Sequence, residues 1–245
     1  MNGVHERLAA LRTALADVRA RIAAAALAAG RDPVEVRLLA VTKTRPALDA
    51  ALLTDLGVVD LAENREQEGA AKAAEVRALR PDAQVSWHLV GRLQRNKARA
   101  AVRWAAEVQS VDSVRLAEAL ARGVAAARAA GERTAPLDVL VQASLDGDPN
   151  RGGCPLDSLP ELADEVARSG DLRLRGIMAI GPLAMDPDAA FDRLAAAADR
   201  LRRDHPEATE ISAGMTDDLE SAVAHGSTCV RVGTALLGAR GLASP

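Results

Sequence analysis

Leu38-Leu39-Ala40-Val41-Thr42-Lys43-Thr44-Arg45-Pro46 reads as a buried strand that ends on a lysine and runs into a turn. Similar β-rich runs recur at 37–42, 58–62, 84–90, 107–111, 137–143, 173–180, 208–212 and 228–233. Between them lie Ala/Arg/Glu/Leu stretches such as 64–79, 113–130, 156–169 and 187–204, with apolar residues at helical spacing. Strands alternating with helices imply parallel pairing through crossovers. Eight such units predict an α/β fold, a single (β/α)8 TIM-type barrel over about residues 35–240 with an additional N-terminal helix at about 3–29. A doubly wound open sheet is the alternative. The whole of 1–245 is expected to form one domain, because the turn-rich Asp146–Gly153 stretch follows the fifth strand as a loop rather than a linker.

The lysine that closes the first strand stands out by composition. Only three of the thirty-one basic residues are lysines, Lys43, Lys72 and Lys97. Arginine stays protonated, whereas a lysine amine can lose its proton, attack a carbonyl and form a Schiff base. Side chains alternate along a strand, so Leu39, Val41 and Lys43 share one face. If that face fills a barrel, Lys43 tops it at the end where barrel enzymes do their chemistry. A surface lysine snorkelling at a strand exit is the competing reading.

Composition excludes several function classes. The net charge is −3, and aromatics are limited to Trp87, Trp104 and Phe191, so neither a basic field nor a stacking platform for nucleic acid is present. The longest apolar stretch, Ile22–Gly30, is too short to cross a membrane, and charged Glu6, Arg7, Arg12, Asp17, Arg19 and Arg21 precede it. No secretory signal is expected, and the cytoplasm is the expected compartment. Cys154 and Cys229 have no framework spacing, which suits a reducing compartment, and Cys229 reads as a core residue. His5, His205 and His225 form no metal spacing. His88 is expected to be a satisfied buried imidazole, with a general base as the alternative. Lys72, among Ala and Glu on a helix, is expected to be solvated.

The last two strands supply a second signal. Ser212-Ala213-Gly214-Met215-Thr216 offers a hydroxyl and small residues that let backbone N–H groups approach an anion. Asp217 and Asp218 are expected to cap the next helix, since Asp217-x-x-Glu220 resembles a capping box. Gly233 and Thr234 follow Val230-Arg231-Val232, and Arg231 shares a face with Gly233. An arginine inside a barrel mouth is costly unless an anion or acceptor meets it. A lysine on the first strand and anion-binding loops on the last two suit a phosphorylated aldehyde, with Arg231 placed to donate to a heteroaromatic nitrogen. That is the logic of pyridoxal 5′-phosphate.

Five motifs occur in order: Leu39-Ala40-Val41-Thr42-Lys43-Thr44, Ala62-Glu63-Asn64-Arg65-Glu66-Gln67-Glu68, Trp87-His88-Leu89-Val90-Gly91-Arg92-Leu93-Gln94-Arg95-Asn96-Lys97, Ser212-Ala213-Gly214-Met215-Thr216-Asp217-Asp218-Leu219 and Val230-Arg231-Val232-Gly233-Thr234. Together they resemble the pyridoxal phosphate homeostasis protein family (YggS/PROSC type), from about residue 35 to 240. The resemblance implies a barrel like the N-terminal domain of alanine racemase and a cofactor held on Lys43 without established turnover. It also implies that Asn64 meets the cofactor ring edge and Val90 packs beside it. Ser212, Gly233 and Thr234 would hold phosphate, and Arg231 would face the pyridine nitrogen. Ala62 stands where the family usually has Gly, Arg65 where an aromatic is common, Ala213 where Met is common, and Gly152-Gly153-Cys154 departs from a lysine-containing loop. Lys97 matches the third motif and is expected to be an anion-attracting helix residue, with a transient second site for the aldehyde as the alternative.

Two function classes stay open. One is a monomeric protein that keeps pyridoxal phosphate and passes it to apo pyridoxal-phosphate enzymes. The other is an amino-acid racemase or decarboxylase on the same barrel; an aldolase using Lys43 lacks an identifiable acid–base partner. Racemases of the resembling fold use a tyrosine from a C-terminal β domain as second base. This chain has no tyrosine and reaches Pro245 just after the eighth unit, so the carrier is the expected class.

Overall fold

The computed structural model describes residues 2–148 and 152–238. Eight parallel strands form the core: β1 Arg37–Val41, β2 Asp60–Glu63, β3 Ser86–Leu89, β4 Glu107–Val111, β5 Leu137–Ser144, β6 Leu172–Ala179, β7 Glu210–Ser212 and β8 Cys229–Val232. Each pairs with its sequence neighbour, β8 returns to β1, and β4–β5 closes the ring. The result is a closed barrel rather than an open sheet. A two-residue strand, Cys154–Pro155, is appended to β5 at Ala143 and Ser144. The turn-rich loop expected after β5 lies partly outside the described residues, at 149–151.

Helices return the chain between strands: α2 Ala47–Asp55, α3 Glu66–Leu79, α4 Ala98–Ala101, α5 Val114–Ala129, α6 Leu159–Arg168, α7 Pro187–Asp204, α8 Leu219–Ala224 and, after β8, α9 Thr234–Leu237. The leading helix α1, Asn2–Ala28, buries Leu11, Leu15, Val18, Ile22 and Ala26 at three- and four-residue spacing. That stripe belongs to one core with Val230 and Val232 of β8 and Leu219, Val223 and Leu236 of α8 and α9. Arg7 fixes its direction, donating to both carboxylate oxygens of Asp49 on α2 at 2.9 and 2.6 Å and to the Leu237 carbonyl at 3.1 Å. The helix thus braces the segment after β8, where the site forms.

Alternation sorts each strand's residues. Val230 and Val232 point out to the helices, while Leu39, Val41, Ala62, Val90 and Cys229 meet inside the barrel. Register then stacks the interior in layers. Val41 is level with Ala62 and Ala62 with His88, so Lys43, Asn64 and Val90 stand level two residues on. Leu39 is level with Arg231, which places Gly233 beside Val41.

Candidate functional site

A cleft of about 370 Å³ opens at the carboxyl end of the barrel, within the range of small-molecule sites. Lys43, Asn64, Val90, Arg231, Gly233 and Thr234 line it, so six of the seven expected residues come together. Val41 forms part of its wall, and Met215, Thr216 and Asp217 contribute from the loop after β7. Lys43 is exposed and has no hydrogen bond or ion pair with the described residues. Thr44, next along, has φ +62°, a left-handed conformation that a β-branched residue adopts only under strain. That bend turns the chain away once Lys43 has been placed. Gly91 is required for close approach: a Cβ there would lie 2.1 Å from the Asn64 carbonyl oxygen.

Lys43 is seated by residues below it. Lys72 reaches in from α3, pairs with Glu63 and donates to the Thr42 carbonyl at 2.7 Å. The Thr42 hydroxyl donates to the same Glu63 oxygen at 2.6 Å. The expectation of a solvated Lys72 is therefore corrected: it is 8% exposed, because α3 packs its charged end onto the buried carboxylate of β2. Lys97 lies elsewhere, in a neighbouring open groove of about 1180 Å³ with Arg65, Arg92, Arg95 and Arg115. Among the described residues only Arg92 lines both spaces.

Arg231 is 5% exposed, and no carboxylate among the described residues pairs with it. Burial pulls its pKa below the ordinary value. Its Nη1 donates to the Ser212 carbonyl at 2.7 Å and hydroxyl at 2.8 Å, and its Nη2 donates to the Ala179 carbonyl at 2.7 Å. A guanidinium carries five N–H groups, so two are left over in a residue that lines the cleft. Ser212 is not at the cleft. It is level with Cys229, one pleat beneath Arg231, fully buried, and its hydroxyl donates to Gln109 at 2.7 Å. Its hydroxyl, expected to meet phosphate, is instead engaged by the arginine and Gln109 in this structure. The expected capping box of Asp217 and Glu220 does not form either: Asp218 takes the N-cap position without a side-chain cap bond, and Glu220 pairs with Arg21. The Asp218 carboxylate instead accepts from the Met215 N–H at 2.6 Å and closes the loop after β7.

His88 is the satisfied imidazole the sequence suggested. It is 3% exposed and sits between Asp60 at 2.9 Å and Glu107 at 2.8 Å, near the amino end of the barrel. Burial opposes its charge, but the two carboxylates outweigh that and raise its pKa. Arg37 joins the group by pairing with Asp60 and Glu210. Burial pushes the Cys229 thiol up to about 12 and the Cys154 thiol up to about 11, which makes both poor nucleophiles. Among the described residues no His/Cys/Asp/Glu group is arranged to hold a metal, and no helix is long and apolar enough to cross a membrane. Gln109 and Glu107 were not singled out by sequence, although their alternation with Val108 on an interior strand was a signal.

A closed parallel barrel with a lysine topping β1 and a buried arginine inside β8 places the protein in the class of alanine racemase-like barrels. The family profile described as "Alanine racemase, N-terminal domain" matches residues 13–241. Alanine racemase from Corynebacterium glutamicum has the same fold, with a TM-score of 0.68 at 13% identity over 97% of this chain and 62% of that one. The "Pyridoxal phosphate homeostasis protein" of Mycobacterium bovis is 51% identical over 98% of this chain and 96% of its own length. PipY of Synechococcus elongatus, solved with PLP bound, aligns with a TM-score of 0.77 at 33% identity over 93% of this chain and 100% of that one. The chain belongs to the pyridoxal phosphate homeostasis protein family.

Proposed function

We propose that this chain binds pyridoxal 5′-phosphate as a Schiff base on Lys43 and serves intracellular homeostasis or delivery of the cofactor without catalytic turnover. The observation that carries the reading is Arg231, a buried cation with no carboxylate partner among the described residues, which keeps two N–H groups unused and lines the same cleft as Lys43. Those residues fit the cofactor's chemistry, and a relative solved with PLP bound supports it. When bound, the cofactor supplies an aldehyde that condenses with amines and a ring that accepts electrons.

The chain's own residues divide the work. Lys43 offers the amine, Val90 an apolar wall, and Asn64 a polar group at the edge. Arg231 donates toward the ring nitrogen and, being unable to give up its proton, leaves that nitrogen unprotonated and the ring a poor electron sink. Gly233 and Thr234 hold the phosphate in this reading, supported by their lining the cleft together with Met215 and Thr216. The Thr234 hydroxyl has no partner among the described residues. Thr234→Ala removes a bond to a charged group, worth about 1.5–3 kcal/mol. Pyridoxal phosphate is expected to bind roughly ten- to a hundredfold more weakly to that variant, and dephosphorylated pyridoxal to be unaffected. Equal losses for both ligands in a dissociation assay would place the phosphate elsewhere.

The chain has no tyrosine to act as a second base. Among the described residues His88 and the cysteines do not line the cleft, and Asp217 is the carboxylate that does. No appreciable racemisation, transamination or decarboxylation is expected. Solvent-deuterium exchange at the α-carbon of D- and L-amino acids tests this with the native protein, Lys43→Ala and Asp217→Asn. Lysine-dependent exchange on the order of 1 s⁻¹ or faster would make the protein an enzyme and overturn the carrier reading. The reading further places the protein in the cytoplasm as a monomer, with apo pyridoxal-phosphate enzymes as recipients.

A further inference from the structure

The barrel interior holds a continuous polar chain from its amino end to the cleft. His88 Nδ1 meets Glu107 at 2.8 Å, and Gln109 Nε2 donates to the same Glu107 oxygen at 2.7 Å. The Ser212 hydroxyl donates to Gln109 Oε1 at 2.7 Å, and Arg231 Nη1 donates to that hydroxyl at 2.8 Å. Glu107, Gln109, Ser212 and Arg231 are all 5% exposed or less, so water does not substitute for any of these bonds.

The direction of every bond is dictated from the two ends. Arginine only donates, so the Ser212 oxygen must accept from it and turn its single hydrogen to Gln109. Gln109 must then present its carbonyl oxygen to Ser212 and its NH2 to Glu107. An ionised carboxylate only accepts, which demands that same orientation. Burial works against ionisation of Glu107, but its contacts with His88 hold its pKa below the usual carboxylate range. The amide therefore has one orientation that satisfies both neighbours, and networks of this kind hold their members more firmly than isolated pairs.

We propose that Gln109 is a positioning residue: by fixing the hydroxyl of Ser212 it aims the unused N–H groups of Arg231 into the cleft, toward the ring nitrogen of the ligand. The proposal rests on the reading of the cleft as a pyridoxal phosphate site. Gln109 does not line the cleft, and its link to it runs through Ser212 and Arg231. Leucine at 109 keeps the approximate volume but supplies neither end of the bridge.

A double-mutant cycle of Gln109→Leu and Ser212→Ala tests this. Each single variant is expected to weaken retention of pyridoxal phosphate roughly three- to tenfold and to shift the visible absorption band of the bound cofactor. Because both act through one hydroxyl, the double variant should be no worse than the weaker-binding single. In an Arg231→Ala background, Gln109→Leu should no longer move the band. Additive losses, or a band unmoved by either single variant, overturn the proposal. If Gln109→Leu does not fold, Gln109→Met takes its place. The same cycle in urea unfolding of the cofactor-free protein reads the Gln109–Ser212 bond itself. Non-additivity there, together with wild-type protein that binds no pyridoxal phosphate, would refute the cofactor reading and leave the bridge intact. Additivity there refutes the bridge.

Discussion

Lys43→Arg is expected to abolish covalent retention of pyridoxal phosphate while leaving the barrel folded. Lys43 is exposed and bonded to none of the described residues, so its replacement removes no packing and no buried partner. Substitutions of that kind change stability by about 0.5 kcal/mol or less. Arginine keeps the positive charge at the cleft and so preserves attraction for phosphate, but its guanidinium does not become a nucleophile. The effect should therefore be all or nothing on borohydride-trapped cofactor, with only a modest effect on reversible binding. Mass spectrometry after reduction and a denaturant titration measure the two halves. Trapping equal to wild type would move the imine to another amine.

His88→Ala should produce the largest loss of stability, about 3 kcal/mol, near the low end of what breaking a buried ionic group costs. The variant leaves Asp60 and Glu107 without the imidazole between them, and Arg37 compensates in part at 3.1 and 3.7 Å. The loss should depend on pH. The folded His88 has a raised pKa, so its contribution is complete below the unfolded value of 6.5 and fades as pH rises through the folded value. Asp60 and Glu107 are shifted down despite burial, by His88 and Arg37, so their contribution is present above the ordinary carboxylate range and lost only in more acid solution. Urea titrations should accordingly show the greatest difference between wild type and His88→Ala near pH 6 and a smaller one in alkali. A difference below about 1 kcal/mol, or one independent of pH from 6 to 10, would contradict the charged-network reading.

The barrel was legible because apolar runs and helical stretches alternate, and each expected strand overlaps an observed one. The shorter returns were not. α8 and α9 have six and four residues, too few for a periodic pattern to emerge. Strand alternation put Arg231 on the inner face, but depth along the barrel depends on register between strands remote in sequence. That is why the sequence alone aims Ser212 at the cleft, whereas it lies level with Cys229 below it. Lys72 shows the same limit in a helix: its own neighbours are Ala and Glu, and its burial is decided by Glu63 on a different element. The bridge through Gln109 arises only where β4 and β7 face each other across the barrel interior.

The most direct test of the central claim is borohydride reduction of the wild-type protein loaded with pyridoxal phosphate, followed by peptide mapping. Lys43 should carry the reduced adduct, because Lys72 is buried against Glu63 and Lys97 lies outside the cleft. An adduct confined to Lys72 or Lys97, or cofactor that remains bound yet yields no adduct at all, would contradict the assignment of Lys43 as the anchor.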